Sequence, residues 1–393
     1  ILYKFQDQEV EFICGYAKEK AQSLDKNEIS IQEMHNIVEG ALEEVNPSVA
    51  KSYRDYRNYK HDFIHMMDEV YTKSQSIRYI GDKSNANTDS ALVATKRSLI
   101  FNELNKELYR KFFMNRNELQ ACKDGYIYIH DQSARLDTMN CCLFDVANVL
   151  RGGFEMGNVW YNEPKTLDTA FDVMGDIILS TAAQQYGGFT VPEVDKILAP
   201  YAEKSYAKYQ EEFLKYVDPK WEQAEEKSRE YAADKVRRDF DQGWQGIEYK
   251  LNTVGSSRGD YPFVTVTLGL GMERFEKMCS ISLLEVHKEG QGKTGHKKPV
   301  LFPKIVFLYD ENIHGEGKGG EDVFEAGIAC SAKTMYPDWL SMSGEGYISS
   351  MYKKYKKVIS PMGCRAFLSP WYERGGMKPA DDQDVPVLSL IHI

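Results

Sequence analysis

The feature that most constrains the fold is the alternation of helical stretches with short apolar runs after residue 82. Helical spacing of apolar residues predicts helices at 99–113 and 167–183, and a charge-rich helical stretch at 202–249 that is interrupted near Pro219. Short apolar runs predict strands at four places, which are 126–130, 141–146, 263–268 and 305–309. Helices that alternate with strands are typical of α/β proteins. We therefore expect an α/β fold over most of the chain.

The first sixty residues have a different pattern, which is helical throughout. Apolar residues recur at helical spacing within 29–45, and a second helix is predicted from Pro47 to residue 59. The first helix carries Ile31, Met34, Ile37, Val38 and Leu42. This pattern predicts a small helical cap, with residues 59–82 as its connection to the rest of the chain.

Composition limits the class of protein. The chain has 393 residues, 42% hydrophobic and 27% charged, which is ordinary for a globular protein. Its net charge of -10 argues against nonspecific binding of nucleic acid. We expect no membrane association, because no apolar run reaches the roughly 18 residues of a spanning helix and no basic leader is visible. Seven cysteines without a pairing pattern suit a reducing compartment, so we expect a cytoplasmic location.

Two cysteine segments are the strongest candidates for chemistry. The chain contains no Cys-x-x-Cys, so the usual zinc and iron-sulfur spacings are missing. Cys364 follows Pro361 and Gly363, which indicates a shaped loop tip, while Cys141 opens an apolar run that is predicted as a buried strand. A thiol at a strand end facing a thiol on a loop tip would form a redox or radical centre. Each cysteine taken alone is equally well explained as a small buried hydrophobe.

Three further features can each be explained either as part of a functional site or as ordinary structure. His61 and His65 lie four residues apart, as metal ligands on one helix face would, but no third ligand is evident and an ordinary helix face is favoured. The Gly/Lys-rich stretch 287–299 is explained either as a phosphate-binding loop or as a plain surface loop, and we favour the surface loop. His130 and Asp131 suggest a general base, but adjacent residues on a strand point apart, so a structural role is favoured.

An ordered series of short motifs runs from Ser84 to Pro370 and resembles one enzyme family. The chain is similar to the anaerobic, class III glycyl-radical ribonucleoside-triphosphate reductases. The motifs that carry the resemblance are Ser84-Asn85-Ala86-Asn87, Tyr128-Ile129-His130-Asp131, Asn140-Cys141-Cys142-Leu143, Gly152-Gly153-Phe154, Met156-Gly157-Asn158, Gln185-Tyr186-Gly187-Gly188, Ala199-Pro200-Tyr201, Thr265-Val266-Thr267, Phe302-Pro303-Lys304 and Ser360-Pro361-Met362-Gly363-Cys364-Arg365-Ala366-Phe367-Leu368.

The resemblance implies an organisation in three parts. Residues 1–60 resemble the latter half of an ATP-cone, a module that senses ATP against dATP, and we do not expect this partial cone to bind effectors by itself. Residues 61–387 would form the N-terminal portion of a ten-stranded α/β barrel. Residues 388–393 do not match the family and resemble a translated sequencing adapter, so we expect a fragment that is truncated at both ends and inactive alone. A short natural apolar tail is the other explanation.

The resemblance also assigns roles to four residues. Cys364 matches the cysteine that becomes a thiyl radical and removes a hydrogen atom from C3′ of the substrate, after which the 2′-hydroxyl leaves as water. Cys141 matches the thiol that delivers hydrogen to C2′; because neighbouring strand residues face opposite ways, Cys142 would then lie outside the barrel wall. Asn140 is a hydrogen-bonding candidate beside the donor, or a turn residue at the strand start. Met362 matches a methionine of members that use formate, or is a flexible core residue.

Cofactors and partners follow from the resemblance alone. A glycyl radical installed by a separate radical-SAM activating enzyme, zinc in a C-terminal part beyond this sequence, formate as reductant and ATP or dATP as effectors are implied. The substrate would be a ribonucleoside triphosphate, and the family is usually homodimeric. Two other functions stay open at this point: another glycyl-radical enzyme, and a noncatalytic nucleotide-binding scaffold.

Overall fold

A computed structural model describes residues 3–80, 92–129, 131–135, 141–253, 259–355 and 357–363. The chain divides into two compact units, Ile1–Tyr79 and Ile80–Ile393. Among the described helices, none is long and apolar enough to cross a membrane.

The first unit is helical, as predicted. Its helices are α1 (Asp7–Ser23), α2 (Ile31–Val45) and α3 (Pro47–Ile80). Helix α2 begins at a capping box, in which the Ser30 side chain accepts a hydrogen bond from the backbone N–H of Glu33 and the Glu33 side chain accepts one from Ser30. The predicted apolar face is only partly correct, because Leu42 is buried whereas Ile31 is exposed.

The described part of the predicted connection at 59–82 is helical. Helix α3 continues without interruption through Ile80. After Pro47 at its start, the helix sequence contains neither glycine nor proline, so nothing in it breaks the backbone hydrogen-bond ladder.

The second unit contains a five-stranded sheet in which every strand pairs parallel to its neighbour, in the order β1-β4-β5-β6-β7. A separate antiparallel pair, β2 and β3, lies between β1 and β4 in the chain. The strands are β1 (Cys142–Leu143), β2 (Phe154–Met156), β3 (Val159–Tyr161), β4 (Phe189–Val191), β5 (Val264–Leu268), β6 (Lys304–Tyr309) and β7 (Asp338–Ser341). The α/β class is confirmed, and closure into a ten-stranded barrel stays a prediction.

Helices precede, connect and follow the strands, and those with residues in the large core cover one face of the sheet. The last helix packs instead against Val306 and Leu308 on the opposite face. They are α4 (Val93–Phe112), α5 (Arg116–Lys123), α6 (Val146–Leu150), α7 (Leu167–Ala183), α8 (Val194–Lys215), α9 (Ala224–Thr253), α10 (Arg274–Glu289), α11 (Glu311–His314), α12 (Glu321–Thr334) and α13 (Tyr347–Tyr355). The bounds of α7 agree with the prediction, and the predicted interruption near Pro219 separates α8 from α9. Crossover helices of this kind are what parallel neighbouring strands require.

Strand alternation divides the five-stranded sheet into two faces. The helix-side face, as we call it, consists of the sheet residues that pack into the large core with the helices; they are Cys142, Phe189, Val191, Val264, Val266, Leu268, Ile305, Phe307 and Tyr309. Residues that alternate with them form the loop-side face, which includes Leu143, Thr190, Thr265, Thr267, Val306 and Leu308. The residues of the helix-side face and the helices that pack on them form the main hydrophobic core of the second unit.

Two strand predictions are corrected. The run 126–130 was expected to be a strand, but its described part, 126–129, is irregular, and Tyr126 and Tyr128 are exposed. The run 141–146 contains a strand of only two residues. It ends early because the Asp145 carboxylate accepts a hydrogen bond from the backbone N–H of Asn148 and caps helix α6, which begins at Val146.

Candidate functional site

Cys141 directly precedes β1 and lies next to Met362. Its side chain is 5% exposed, Met362 is fully buried, and both form a small apolar cluster with Leu143. Cys141 and Leu143 stand two residues apart along the strand and therefore share the loop-side face. The structure thus brings together two of the four residues that the sequence singled out.

Cys142 has different surroundings. It packs against the helix-side core, and Gln185 donates a hydrogen bond from Nε2 to its Sγ at 2.7 Å. Burial raises the pKa of the Cys142 thiol, and the Gln185 hydrogen bond opposes this only in part. The adjacent cysteines therefore lie on opposite faces of the sheet, as alternation predicted, and Cys142 is a neutral thiol near pH 7.

The segment 357–363 lies against the loop-side face. It enters from the exposed Lys357, and all of 359–363 is buried. The hydroxyl of Thr190 donates a hydrogen bond to the backbone oxygen of Pro361 at 2.7 Å. A second contact joins the hydroxyls of Thr267 and Ser360 at 3.2 Å. Two neighbouring strands, β4 and β5, therefore each hold one residue of this segment.

Two glycines allow this segment to approach the sheet closely. A Cβ atom at Gly363 would lie 2.8 Å from the Phe263 ring and 3.1 Å from the Cα of Gly188. A Cβ atom at Gly188 would lie 2.3 Å from the same ring and 2.7 Å from the backbone oxygen of Phe263. Both contacts are closer than any real side chain tolerates, so glycine is required at both positions for steric reasons.

A buried carboxyl group, Asp195, lies beyond the carboxyl end of β5. Its Oδ2 accepts hydrogen bonds from the backbone N–H groups of Gly269 and Gly271, at 3.0 and 3.2 Å, and from the hydroxyl of Ser280 at 3.2 Å. Burial raises the pKa of Asp195 to about 6, against the lowering effect of these backbone donors. Sequence reasoning missed this residue, although Gly269 and Gly271 directly after an apolar strand were a signal.

His314 lies near the same edge. Its Nε2 is 2.7 Å from the backbone oxygen of Gly269, and its Nδ1 accepts a hydrogen bond from the backbone N–H of Asp310 at 3.0 Å. In this tautomer Nε2–H donates to Gly269. Burial lowers the pKa of His314, so the ring is neutral at pH 7 and ties two loops together.

The other predicted site residues are not brought to this place. His61 and His65 are exposed on α3, each about 3.7–3.8 Å from a carboxylate, Asp62 and Glu69 respectively. Within the described part of the chain, no three His, Cys, Asp or Glu side chains are grouped as metal ligands would be.

The predicted loop at 287–299 begins later than expected. Helix α10 runs to Glu289, and His287 is buried within it, with Nδ1 2.8 Å from Oε1 of the equally buried Glu248. A turn that pairs Gln291 with Lys298 follows. His287 is therefore part of the packing between α9 and α10.

Three predicted residues, Cys364, Asn140 and His130, lie outside the described residues. Asp131, the neighbour of His130, has a positive φ of 52° and precedes a short 3-10 turn, Gln132–Ala134. The backbone thus turns at Asp131, in agreement with the structural role favoured for it.

Sequence comparison identifies the class of protein to which this parallel α/β unit belongs. The family described as anaerobic ribonucleoside-triphosphate reductase matches residues 84–388, which is more than half of the chain, and the ATP cone domain matches residues 2–62. The chain therefore belongs to the anaerobic ribonucleoside-triphosphate reductase family.

Curated relatives agree with this assignment. The anaerobic ribonucleoside-triphosphate reductase of Enterobacteria phage T4 is 34% identical over 303 residues, which cover 76% of this chain and 48% of the phage protein. The protein of the same name from Escherichia coli strain K12 is 30% identical over 376 residues, which cover 93% of this chain and 50% of the relative. The chain thus spans about half the length of the curated relatives it matches.

Solved structures with a similar chain include the anaerobic ribonucleotide reductase from Thermotoga maritima. Its complex with dATP and CTP matches with a TM-score of 0.45 and 14% identity, covering 76% of this chain and 52% of that chain. Its structure with citrate in the active site matches with a TM-score of 0.43 and 13% identity, covering 87% and 55%.

Proposed function

We propose that the protein reduces ribonucleoside triphosphates to 2′-deoxyribonucleoside triphosphates by radical chemistry under anaerobic conditions. The names of the curated relatives support this activity. The observation that carries the proposal is the burial of Cys141 against Met362, on the sheet face where the segment leading to Cys364 lies. Cys364 follows the described Gly363 directly in the sequence.

Cys364 is the proposed radical cysteine and Cys141 the proposed hydrogen donor. A thiyl radical at Cys364 removes the hydrogen atom from C3′, the 2′-hydroxyl leaves as water with an added proton, and Cys141 gives a hydrogen atom to C2′. Sulfur suits both steps because an S–H bond is weak enough to exchange hydrogen atoms with carbon. Loss of water leaves C3′ as a ketone, and hydrogen donation leaves Cys141 as a thiyl radical. The reductant must therefore return a hydrogen atom to Cys141 and give one electron, with a proton, to the C3′ ketone. The hydrogen atom on Cys364 then returns to C3′ and regenerates the Cys364 thiyl radical. The proposed role of Asn140 is to hydrogen-bond near the donor.

Formate is the proposed reductant. Each turnover consumes two electrons, and oxidation of formate to carbon dioxide supplies them. The support is the chemistry of Met362: a thioether has no S–H bond, so Met362 cannot close a disulfide with the Cys141 thiol beside it. A dithiol reductant would need a thiol at such a position to carry its electrons into the site.

The remaining assignments follow the family. A glycyl radical supplies the unpaired electron, a radical-SAM enzyme installs it, and a zinc site belongs to a C-terminal part of the protein. We also propose a homodimer in the cytoplasm. ATP and dATP are the proposed effectors of the ATP-cone region at residues 1–60, while residues 61–387 form the catalytic portion and 388–393 a tail outside the family pattern.

Sequencing of the genomic locus past the codon for Val387 is the first test. Continuation of the reading frame into Cys-x-x-Cys pairs and an Arg-x-Cys-Gly-Tyr segment would supply the expected zinc ligands and radical glycine. A stop codon directly after Ile393 would contradict the radical mechanism.

An activity assay is the second test. The complete protein encoded at the locus would be activated anaerobically and incubated with ribonucleoside triphosphate and carbon-labelled formate. We expect deoxynucleotide and labelled carbon dioxide in equal amounts, and no product from Cys364→Ser. Turnover without labelled carbon dioxide would exclude formate, and turnover by Cys364→Ser would exclude the proposed radical cysteine.

A further inference from the structure

The loop-side face carries hydroxyl groups at positions where an ordinary sheet would bury aliphatic side chains. Thr190 and Thr267 are both fully buried on neighbouring strands. A buried hydroxyl costs free energy unless it is hydrogen-bonded, so each needs a partner. For both, a partner comes from the segment 357–363.

Thr190 makes the shorter of the two contacts. Its hydroxyl donates to the backbone oxygen of Pro361 at 2.7 Å, across 171 residues of sequence. Proline has no backbone N–H, so the carbonyl is its one backbone group that can be held by a hydrogen bond. The contact therefore fixes the orientation of the peptide unit between Pro361 and Met362.

Thr267 forms a chain of hydrogen bonds beside it. Its hydroxyl oxygen accepts from the backbone N–H of Glu193 at 2.8 Å and lies 3.2 Å from the hydroxyl of Ser360. The residue before Pro361 is thus held by β5, while Pro361 itself is held by β4. Of these two held residues, Pro361, the partner of Thr190, is the closer to Cys364 along the chain.

We propose that Thr190 is a positioning residue for the reaction: its hydrogen bond to Pro361 sets the backbone from which Cys364 follows three residues later. The inference rests on the proposed role of Cys364 as radical cysteine. Hydrogen-atom transfer requires close approach of the reacting atoms, so a small displacement of this backbone slows the reaction without weakening the binding of nucleotide.

Three substitutions separate the hydroxyl from the rest of the side chain. Thr190→Val keeps the shape and removes the donor, Thr190→Ala removes the donor without placing a methyl group against Pro361, and Thr190→Ser keeps the donor. Ser228→Ala is the matched control, because Ser228 is also fully buried and donates to a backbone oxygen at 2.7 Å, that of Glu225 on α9.

The kinetic measurement uses the complete activated protein. For Thr190→Val and Thr190→Ala we expect kcat to fall about 10- to 100-fold, with the KM for nucleotide and the glycyl-radical content by electron paramagnetic resonance unchanged. Thr190→Ser is expected to regain most of kcat, and Ser228→Ala to stay within about twofold of the unsubstituted protein. If Thr190 had a purely structural role, the substitutions would lower the stability of the protein but would not lower kcat selectively while leaving KM unchanged.

Amide hydrogen exchange of the segment 357–363 provides a readout that does not depend on turnover. Exchange is expected to quicken in Thr190→Ala and not in Thr190→Ser. Unchanged exchange in Thr190→Ala, or an unchanged kcat in an active protein, would overturn the inference. If Thr190→Val does not fold, Thr190→Ala decides by the same criteria. If the unsubstituted, activated protein forms no deoxynucleotide, the proposed function is contradicted. Faster exchange in Thr190→Ala would still support the backbone contact in that case.

Discussion

The two faces of the sheet bury their residues for different purposes. The helix-side face is apolar throughout, and its side chains join the large core formed with the helices. The loop-side face buries threonine hydroxyls and Cys141 beneath the segment 357–363, while its β6 residues Val306 and Leu308 form a smaller apolar cluster with helix α13. Burial of a hydroxyl group costs free energy unless the group is hydrogen-bonded, and hydrophobic contact does not offset that cost. Buried hydroxyls at such positions therefore indicate that this face holds a segment of the chain in place by hydrogen bonds. The comparison predicts effects on stability from one face and effects on the reaction from the other.

The adjacent cysteines test this most directly, because they differ in face and in little else. We expect Cys141→Ser to lower deoxynucleotide formation by the activated complete protein by about 100-fold or more, since a serine O–H bond is too strong to give up a hydrogen atom. Cys142→Ser is the matched control and is expected to retain activity within a few-fold, because Cys142 packs into the helix-side core. Equal losses in the two variants would remove the distinction between the faces.

Large-to-small substitutions sharpen the same comparison in terms of stability. Phe307 is fully buried on the helix-side face, with its ring centroid 4.6 Å from that of Trp339 and 4.9 Å from that of His314. We expect Phe307→Ala to lower the free energy of unfolding by about 3–5 kcal/mol in chemical denaturation. Leu143→Ala, in the small cluster of the loop-side face, is expected to cost less than about 2 kcal/mol. A larger loss for Leu143→Ala would show that the loop-side face also carries the stability.

Asp195 tests whether a buried polar group away from the loop-side segment acts on stability. Burial raises its folded-state pKa to about 6, above the ordinary 3.8. The folded protein therefore keeps this proton to a higher pH than the unfolded chain, and the group's stabilising contribution is complete below about pH 4 and lost as the pH rises through 6. Relative to Asp195→Asn, the unsubstituted protein should lose about 3 kcal/mol of unfolding free energy across this window.

The measurement is urea denaturation of both proteins at several pH values between 4 and 7, with Asp172→Asn as control, since the Asp172 side chain is 81% exposed on α7. A constant difference between Asp195→Asn and the unsubstituted protein across this range would mean that Asp195 ionises normally. A difference that increased with pH in favour of the unsubstituted protein would mean that its backbone donors, at Gly269 and Gly271, outweigh burial.

Local sequence pattern was sufficient for the elements whose signals are local. Helix α7 was predicted to its exact ends because apolar residues recur at helical spacing over its whole length. The assignment of Cys141 and Cys142 to different faces needed only strand alternation. The end of β1 was predicted too late. Asp145 caps helix α6 at this point, and the local pattern does not distinguish a helix cap from a polar residue at the end of a strand.

The contacts that organise the loop-side face could not be predicted in this way. Threonine is common in strands because it is β-branched, so Thr190 carries no signal of its own. Its partner, Pro361, is 171 residues away, and the pairing arises only when β4 and the later segment meet in space. The same holds for Asp195, whose donors at Gly269 and Gly271 lie 74 and 76 residues further along the chain.

Glycines on α9 provide the smallest effect and a matched pair within one helix. A Cβ atom at Gly243 would lie 2.2 Å from the ring of Phe171, a residue of the helix-side core, whereas a Cβ atom at Gly246 would meet nothing within 4 Å. We expect Gly243→Ala to destabilise the protein by about 1–3 kcal/mol through overpacking, and Gly246→Ala to stabilise it by up to about 1 kcal/mol, because alanine has the higher helix propensity. Thermal unfolding of both variants measures the difference. Stabilisation by both would show that α7 and α9 have room to move apart, and the helices that cover the helix-side face would then be less closely packed than the distances indicate.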